Sequence, residues 1–389
     1  MYRVGKEEVE RIEKILLSGK FFRYGEGGEC EKFEKDWAAY LGTKYARVNT
    51  NGTAALYAGL IGLGIGPGDS VIVPSCTYMA TPLAVVAAGA IPIVADVDEA
   101  LTLCPIDTER RIGPHTKAIL PVHMVGLPCD MAPLMDLAQR KNLLVLEDAC
   151  QAVGGGYEGR KLGVIGDAGS FSFNYYKNMT SGEGGAFVTD DEDVFHRGSV
   201  AVDCCAFYWS SGKEKEQESF SGLNFRANEI QGAMLNVQLT RIDEMLSLMR
   251  RNRAELMEAG KSAGLTSIKY NSPEYDCGST LGFRFDTEAE AKAFKDTFNE
   301  KVGGAFRIVD TGRHNYTEWD PIMRKQGAHH PALDPFKMPA NKDIQVEYTM
   351  DMCERSLDIA RRSVLIAMHP DHTEEKLEAM AEAIEEAGG

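Results

Sequence analysis

The chain has no apolar run long enough to cross a bilayer. Its best stretch, Thr81 to Asp96, is broken by Pro82, Gly89 and Pro92, whereas a spanning helix needs about 20 apolar residues in a row. A soluble protein without a membrane partner is expected. The nine cysteines are scattered and none shows a Cys-x-x-Cys spacing, which removes the usual metal clamp and redox pair and suits a reducing, cytoplasmic setting. Basic residues are also short: 42 Lys and Arg face 58 Asp and Glu, a formal net charge of -16. Such a field repels polyanions, so nucleic acid is not an expected partner, and an anionic substrate needs a local basic pocket. Internal repeats, low-complexity tracts and Gly/Ser linkers are missing as well, which excludes solenoids and beads-on-a-string arrays.

What is present is a large core. At 389 residues and 44% hydrophobic content the chain has material for two or three structural units. Its first residues, MYRVGKEEVERIEKILL, carry charges between the apolar positions and read as an amphipathic helix, not a signal peptide. Between residues 44 and 190 the short apolar runs YARVN, SVIVP, IPIVADV, KAILPVH, LLVLEDA, GSFSFN and GGAFVT alternate with helical patterns, the mark of an α/β unit with a mostly parallel sheet. After Ala227 one long amphipathic helix is expected as a connector. A strand near Leu281–Phe285 and helices over AEAKAFKDTFNEK and EKLEAMAEAIEEAG then suit a smaller α+β unit. The division expected is residues 1–246 for the large unit and 247–389 for the small one.

Four chemical signals fall at the ends of expected strands. Lys177, in SFSFNYYKNMTSGEGGAF, stands between a strand and a glycine-rich turn; partial burial there lowers a lysine's proton affinity and makes the amine a nucleophile toward an aldehyde. A solvated loop lysine is an equal account of that segment taken alone. LLVLEDACQ ends in Glu147 and Asp148, an acid at the carboxyl edge of the sheet where open α/β folds bind ligands; a helix-capping Asp is the plainer reading of one such residue. Gly52 and Thr53 of NTNGTAAL open an Ala-rich helix whose free N–H groups can cradle a phosphate, or are simply capped by Asn51 or Thr53. Tyr78 can lie against a flat ligand or pack as an ordinary aromatic. In order, these four describe a cradle, a plate, an acid and an amine for one ligand.

With N-G-T-A-A-L, T-Y-M-A-T, E-D-A-C-Q, S-F-N-Y-Y-K-N, G-E-G-G-A and G-L-N-F-R in that order, the chain resembles the DegT/DnrJ/EryC1/StrS sugar aminotransferases, fold-type I enzymes dependent on pyridoxal 5'-phosphate (PLP), over nearly its whole length. That resemblance implies a mixed, mostly parallel seven-stranded sheet between helices plus a smaller C-terminal α+β unit. By the same resemblance Lys177 forms an internal aldimine with PLP, Asp148 pairs with the pyridine nitrogen, Gln151 lies near the phenolic oxygen and Tyr78 stacks on the ring. Gly52, Thr53 and Ser172 hold the phosphate, and Asn224 reaches in from the second subunit of a homodimer. The reaction implied is ping-pong: glutamate or glutamine aminates the cofactor to pyridoxamine 5'-phosphate, which aminates a keto sugar for a surface polysaccharide or an antibiotic. Some dehydratases of the family carry histidine in place of this lysine. A PLP-dependent dehydratase or lyase is therefore the alternative, with a non-catalytic regulatory homologue more remote.

The C-terminal third departs from the commoner family pattern. Its GRHNYTEWDPIMRKQGAHHPALDPF offers Arg313, His314, Tyr316, Trp319, His329 and His330 for an anionic sugar, or else forms a solvated loop. Adjacent histidines seldom share one ion, so no metal is expected at His329 and His330. Arg23 and Tyr24 are further candidates for substrate contact, and VDCCAFYWSSGKEKEQESF is an expected cover. The acceptors left open are a nucleotide-linked 3-keto or 4-keto sugar, a cyclitol ketone and an eight-carbon keto acid sugar.

Overall fold

A computed structural model describes residues 3–24, 27–205 and 219–389. Most of the expected cover, residues 206–218, lies outside the described residues. The seven apolar runs form one sheet: β1 (Tyr45–Asn49), β2 (Ser70–Pro74), β3 (Ile91–Ala95), β4 (Thr116–Ile119), β5 (Leu144–Asp148), β6 (Ala168–Ser172) and β7 (Gly185–Thr189). Their spatial order is β1-β7-β6-β5-β4-β2-β3. The pairs from β6 to β3 are parallel, while β7 runs antiparallel to both β1 and β6. Near-continuous apolar strands such as β2, buried at all five positions, are what a sheet covered on both faces demands.

Each covering helix is positioned by identifiable contacts. Glu29–Leu41 seats Trp37 fully buried, stacked between Phe33 and Tyr40 and edge-on to Phe171 and Phe173 of the lysine-bearing segment. Aromatic pairs of this kind contribute about 0.5–1.5 kcal/mol each beyond area burial, so this helix clamps the back of β6. Gly52–Gly62 begins with Asn51 accepting from the amide of Ala54 at 2.8 Å.

The expected long connector is two helices, Glu229–Leu239 and Ile242–Ser262. The break at Thr240–Arg241 is held by the Thr240 hydroxyl donating to the Val237 carbonyl at 2.8 Å. Arg241, turned away, donates to the carbonyl of Arg3 and the carboxylate of Glu8. Apolar periodicity continues through the break, so pattern alone does not reveal it. Residue 246, the expected boundary, lies inside the second helix.

Beyond it, Thr266–Ser267, Thr280–Arg284, Ser363–Ala367 and Ala305–Phe306 form, in that order, an antiparallel four-stranded sheet. Residues 315–357 do not stay with this second sheet. Tyr316, Trp319, Ile322, Cys353 and Leu357 join Leu56, Val71, Val94 and Leu146 in the core of the large sheet, and Asn315 bridges to Cys76. That return lays residues 311–315 over the carboxyl edge of the main sheet. No helix among the described residues is long and apolar enough to cross a membrane.

Candidate active site

β1, β2, β5 and β6 all end at one edge of the sheet, and β7 begins there. Past β1, the first-turn amides of Gly52 and Thr53 have no acceptor within their own helix, and the helix dipole makes that point electropositive. Ser172 ends β6 directly opposite. A Cβ on Gly52 would lie 2.8 Å from Ser172 Cβ and 2.9 Å from Cys150 Sγ, so only glycine lets the helix start approach β6 and β5 this closely. Thr53, the next residue of that first turn, is exposed. Two amides and the Ser172 hydroxyl thus converge on a space suited to an anion such as phosphate.

Strand alternation separates the two acids ending β5. Glu147 is fully buried and accepts from His123 Nε2 at 3.0 Å and from the amides of Gly163, Ile165 and Gly166 at 2.8, 2.5 and 2.7 Å. His123 Nδ1 accepts from the Cys129 amide at 3.1 Å, which leaves Nε2 as the donor to Glu147. This pair braces the scaffold. Asp148 faces the edge instead, with Oδ2 accepting from Thr81 and Oδ1 from the Cys150 amide, at 2.8 and 3.1 Å. Thr81 is itself linked to Thr77 at 2.8 Å. Two donors orient the carboxylate and leave lone pairs for a cationic N–H. Thr81 escaped the sequence reading although it closes T-Y-M-A-T; its hydroxyl meets Asp148 only because the helix Ala80–Ala87 follows β2.

Lys177 sits in the turn after β6, half-buried, its amide donating to the Asn174 carbonyl at 2.9 Å. Burial lowers its pKa, opposed by the nearby Cys150, Asp148 and Glu183. The net direction is down, which favours the neutral, nucleophilic amine. Gln151, one turn past Asp148, accepts from the Val125 amide at 3.1 Å through Oε1.

The rim comes from two directions. Tyr78 is substantially exposed after β2, and its ring centroid lies 5.7 Å from that of His314 on the returning segment. The His314 pKa is pushed down to about 4 by burial first, then by the charges of Arg313 and Lys177. A neutral imidazole therefore faces the lysine, with Arg313 exposed beside it.

Other candidates lie elsewhere. Tyr316 is fully buried, its hydroxyl donating to the Met350 carbonyl at 2.7 Å, so it packs the return segment and offers nothing to a ligand. Trp319 is likewise buried in that core. His329 and His330 are exposed, and His330 Nδ1 caps the Ala332 amide. The buried Arg23 guanidinium pairs through Nη2 with Glu34, which also accepts from the Val48 amide; this ties Arg23 to β1, while its Nε and Nη1 are buried with no hydrogen-bond partner among the described residues. Tyr24 bonds to Asp203, which also binds Arg226. Asn224 pairs in a bridge with Asp203 and is exposed. The phosphate-cradle, acid, lysine and plate residues are thus brought to one edge, while Tyr24 and Asn224 meet at Asp203 and residues 225–226 pair with Asn49 and Thr50 at the end of β1.

A helix-covered, mostly parallel sheet carrying a poised lysine, an oriented acid and an anion cradle at its carboxyl edge has the architecture of fold-type I aminotransferases. The chain belongs to the DegT/DnrJ/EryC1/StrS aminotransferase family, whose model matches residues 3–280. Among similar proteins, GDP-perosamine synthase of Caulobacter vibrioides is 43% identical over 57% of this chain and 58% of its own. A putative L-glutamine:3-amino-2,3-dideoxy-scyllo-inosose aminotransferase of Micromonospora echinospora is 35% identical over 85% of this chain and 79% of its own. Alignments with three of the curated relatives cover 58%, 63% and 59% of their lengths, under two thirds in each case. The crystal structure of DesV from S. venezuelae in complex with a ketimine intermediate matches at a TM-score of 0.79 and 29% identity, covering 98% of this chain and 94% of that one.

Proposed function

We propose that this protein is a PLP-dependent aminotransferase that moves an amino group from glutamate or glutamine to a keto sugar, with a nucleotide-linked sugar as the favoured acceptor. The observation that carries the reading is Lys177, half-buried in the turn after β6 with its pKa lowered, close enough to the carboxylates of Asp148 and Glu183 for their charges to act on it. The residues fit the cofactor: the cradle at Gly52 and Ser172 that a Cβ would fill suits its phosphate, and Asp148 has acceptor capacity left for its ring nitrogen. Bound PLP would supply an electron sink for the bond broken at the substrate carbon.

The chain's own groups do the rest. With the cofactor bound, Gly52, Thr53 and Ser172 would hold its phosphate, Asp148, steadied by Thr81, would hold the ring-nitrogen proton, and Gln151 and Tyr78 would serve its phenolic oxygen and its ring. Lys177 Nζ takes the proton from the amine-bearing carbon and returns it during the second half-reaction. His314 and Arg313 border the sugar. Asn224, exposed at its bridge, completes the phosphate site of a second copy in a homodimer. Nine thiols, seven of them buried, suit work in the cytoplasm. Names of relatives such as GDP-perosamine synthase support the nucleotide-linked acceptor; an eight-carbon keto acid sugar belongs in the same substrate panel.

The test is the absorption spectrum of the PLP-loaded protein with and without glutamate or glutamine, beside Lys177→Ala, followed by transfer of nitrogen-15 from the donor to a panel of keto sugars. The expected result is a donor-dependent band change in wild type alone and label in the sugar product. A band identical in Lys177→Ala would remove the assignment. Turnover of a keto sugar without label would move the protein to the dehydratases.

A further inference from the structure

Val125 occupies the left-handed region, at φ 49° and ψ 29°, which a β-branched residue adopts only when its surroundings enforce it. Both sides of the Val125 backbone are engaged. Its N–H donates to Gln151 Oε1 at 3.1 Å. Its carbonyl accepts from Ser279 Oγ at 3.0 Å and Thr280 Oγ1 at 2.7 Å, at the start of the strand Thr280–Arg284 in the second sheet. Thr280 is buried. The next residue, Gly126, has φ 88°, and a Cβ there would stand 2.1 Å from Ser279 Oγ; glycine is what admits the serine hydroxyl. The Gly126 carbonyl also accepts from the Cys277 amide at 3.2 Å. Cys277, Ser279 and Thr280, where the chain enters the second sheet, therefore grip residues 125–126 at three points.

This grip has a chemical consequence at Gln151. With Oε1 accepting from the Val125 N–H, the side-chain amide keeps Nε2, a donor only, for a further partner. A donor on the cofactor's phenolic oxygen stabilises that oxygen as an anion and lowers the pH at which the nitrogen joined to Lys177 loses its proton. We propose that Ser279 and Thr280 are positioning residues: they hold the Val125 peptide so that its N–H fixes the orientation of Gln151, and the second sheet thereby tunes the cofactor's protonation from outside the site. This rests on the PLP reading above. Ser279 and Thr280 touch neither the cofactor nor the substrate; they act through the peptide.

Two readouts test it in the full-length protein, using Ser279→Ala/Thr280→Val together, Gln151→Leu, and Thr280→Ser as the variant that keeps a hydroxyl. In the cofactor-free protein, hydrogen exchange of the Val125 amide is expected to accelerate about tenfold or more in the double variant and to stay near wild type in Thr280→Ser. In the PLP-loaded protein, the pH midpoint of the visible band is expected to rise by about 0.5 unit or more in the double variant, in the same direction as Gln151→Leu and by less. Wild-type exchange at Val125, or a wild-type midpoint in a folded double variant, overturns the proposal. Should wild type itself show no band that depends on Lys177, the functional reading and this inference fall together. A normal wild-type band with an unshifted double variant refutes the inference alone.

Discussion

Replacing His314 by glutamine makes the packing of the return segment measurable as a pH dependence. The imidazole lies under the rim beside Tyr78, and burial together with Arg313 and Lys177 pushes its pKa from 6.5 to about 4. A group depressed in the folded state leaves stability intact above its unfolded pKa and withdraws it as pH falls through the interval toward the folded value. The window is therefore pH 6.5 down to about 4. With those two values, the unfolded chain at pH 5 is favoured by proton uptake at this one site by about 2 kcal/mol, and at pH 8 by roughly nothing. Urea denaturation of the cofactor-free protein at the two pH values reads the difference. Wild type is expected to lose about 2 kcal/mol more than His314→Gln between pH 8 and pH 5. Parallel losses would mean that the imidazole is solvated and that the segment 311–315 does not lie against the lysine.

Gly52→Ala places a Cβ against Ser172 and Cys150; a stability loss of about 1–3 kcal/mol from overpacking and a weakened affinity for PLP are expected by thermal melting and fluorescence titration, and wild-type affinity would remove Gly52 from the cradle. Tyr316→Phe removes a buried hydroxyl that donates to the Met350 carbonyl and accepts from the Cys353 amide, so stability should fall by about 1–2 kcal/mol with kcat/KM unchanged. A selective loss of kcat/KM would return Tyr316 to the substrate site.

Much of the site was legible because it is written in short local segments. Gly52, Asp148, Ser172 and Lys177 each stand at or just past a strand end, and strands of alternating α/β units point their carboxyl ends to one edge, so local order in the chain becomes proximity in space. The strands themselves were visible as apolar runs of β-branched residues, and the helices as three-and-four spacing. Spacing could not say that Arg23 would turn inward to Glu34 or that the helix after Asn228 would break at Thr240, where Arg241 reaches Arg3 and Glu8 more than 200 residues back, since apolar periodicity does not record polar pairings.

Residues 311–361 mark the division most clearly. Composition offered six polar and aromatic candidates there with equal claims. The sheet alone selected among them, because Tyr316 and Trp319 fill its core while the two residues ahead of Asn315, anchored to Cys76, are carried over the carboxyl edge. The Thr81 brace on Asp148 and the Val125 peptide between Gln151 and Thr280 belong to the same kind: contacts 67 and 155 residues apart in sequence. The sequence by itself determined the sheet, its chemical edge and the lysine, since those follow from local propensity and alternation. Only the tertiary structure decided which distant side chains steady the acid, orient the glutamine and form the rim, because such pairings come from packing and leave no periodic trace in the chain.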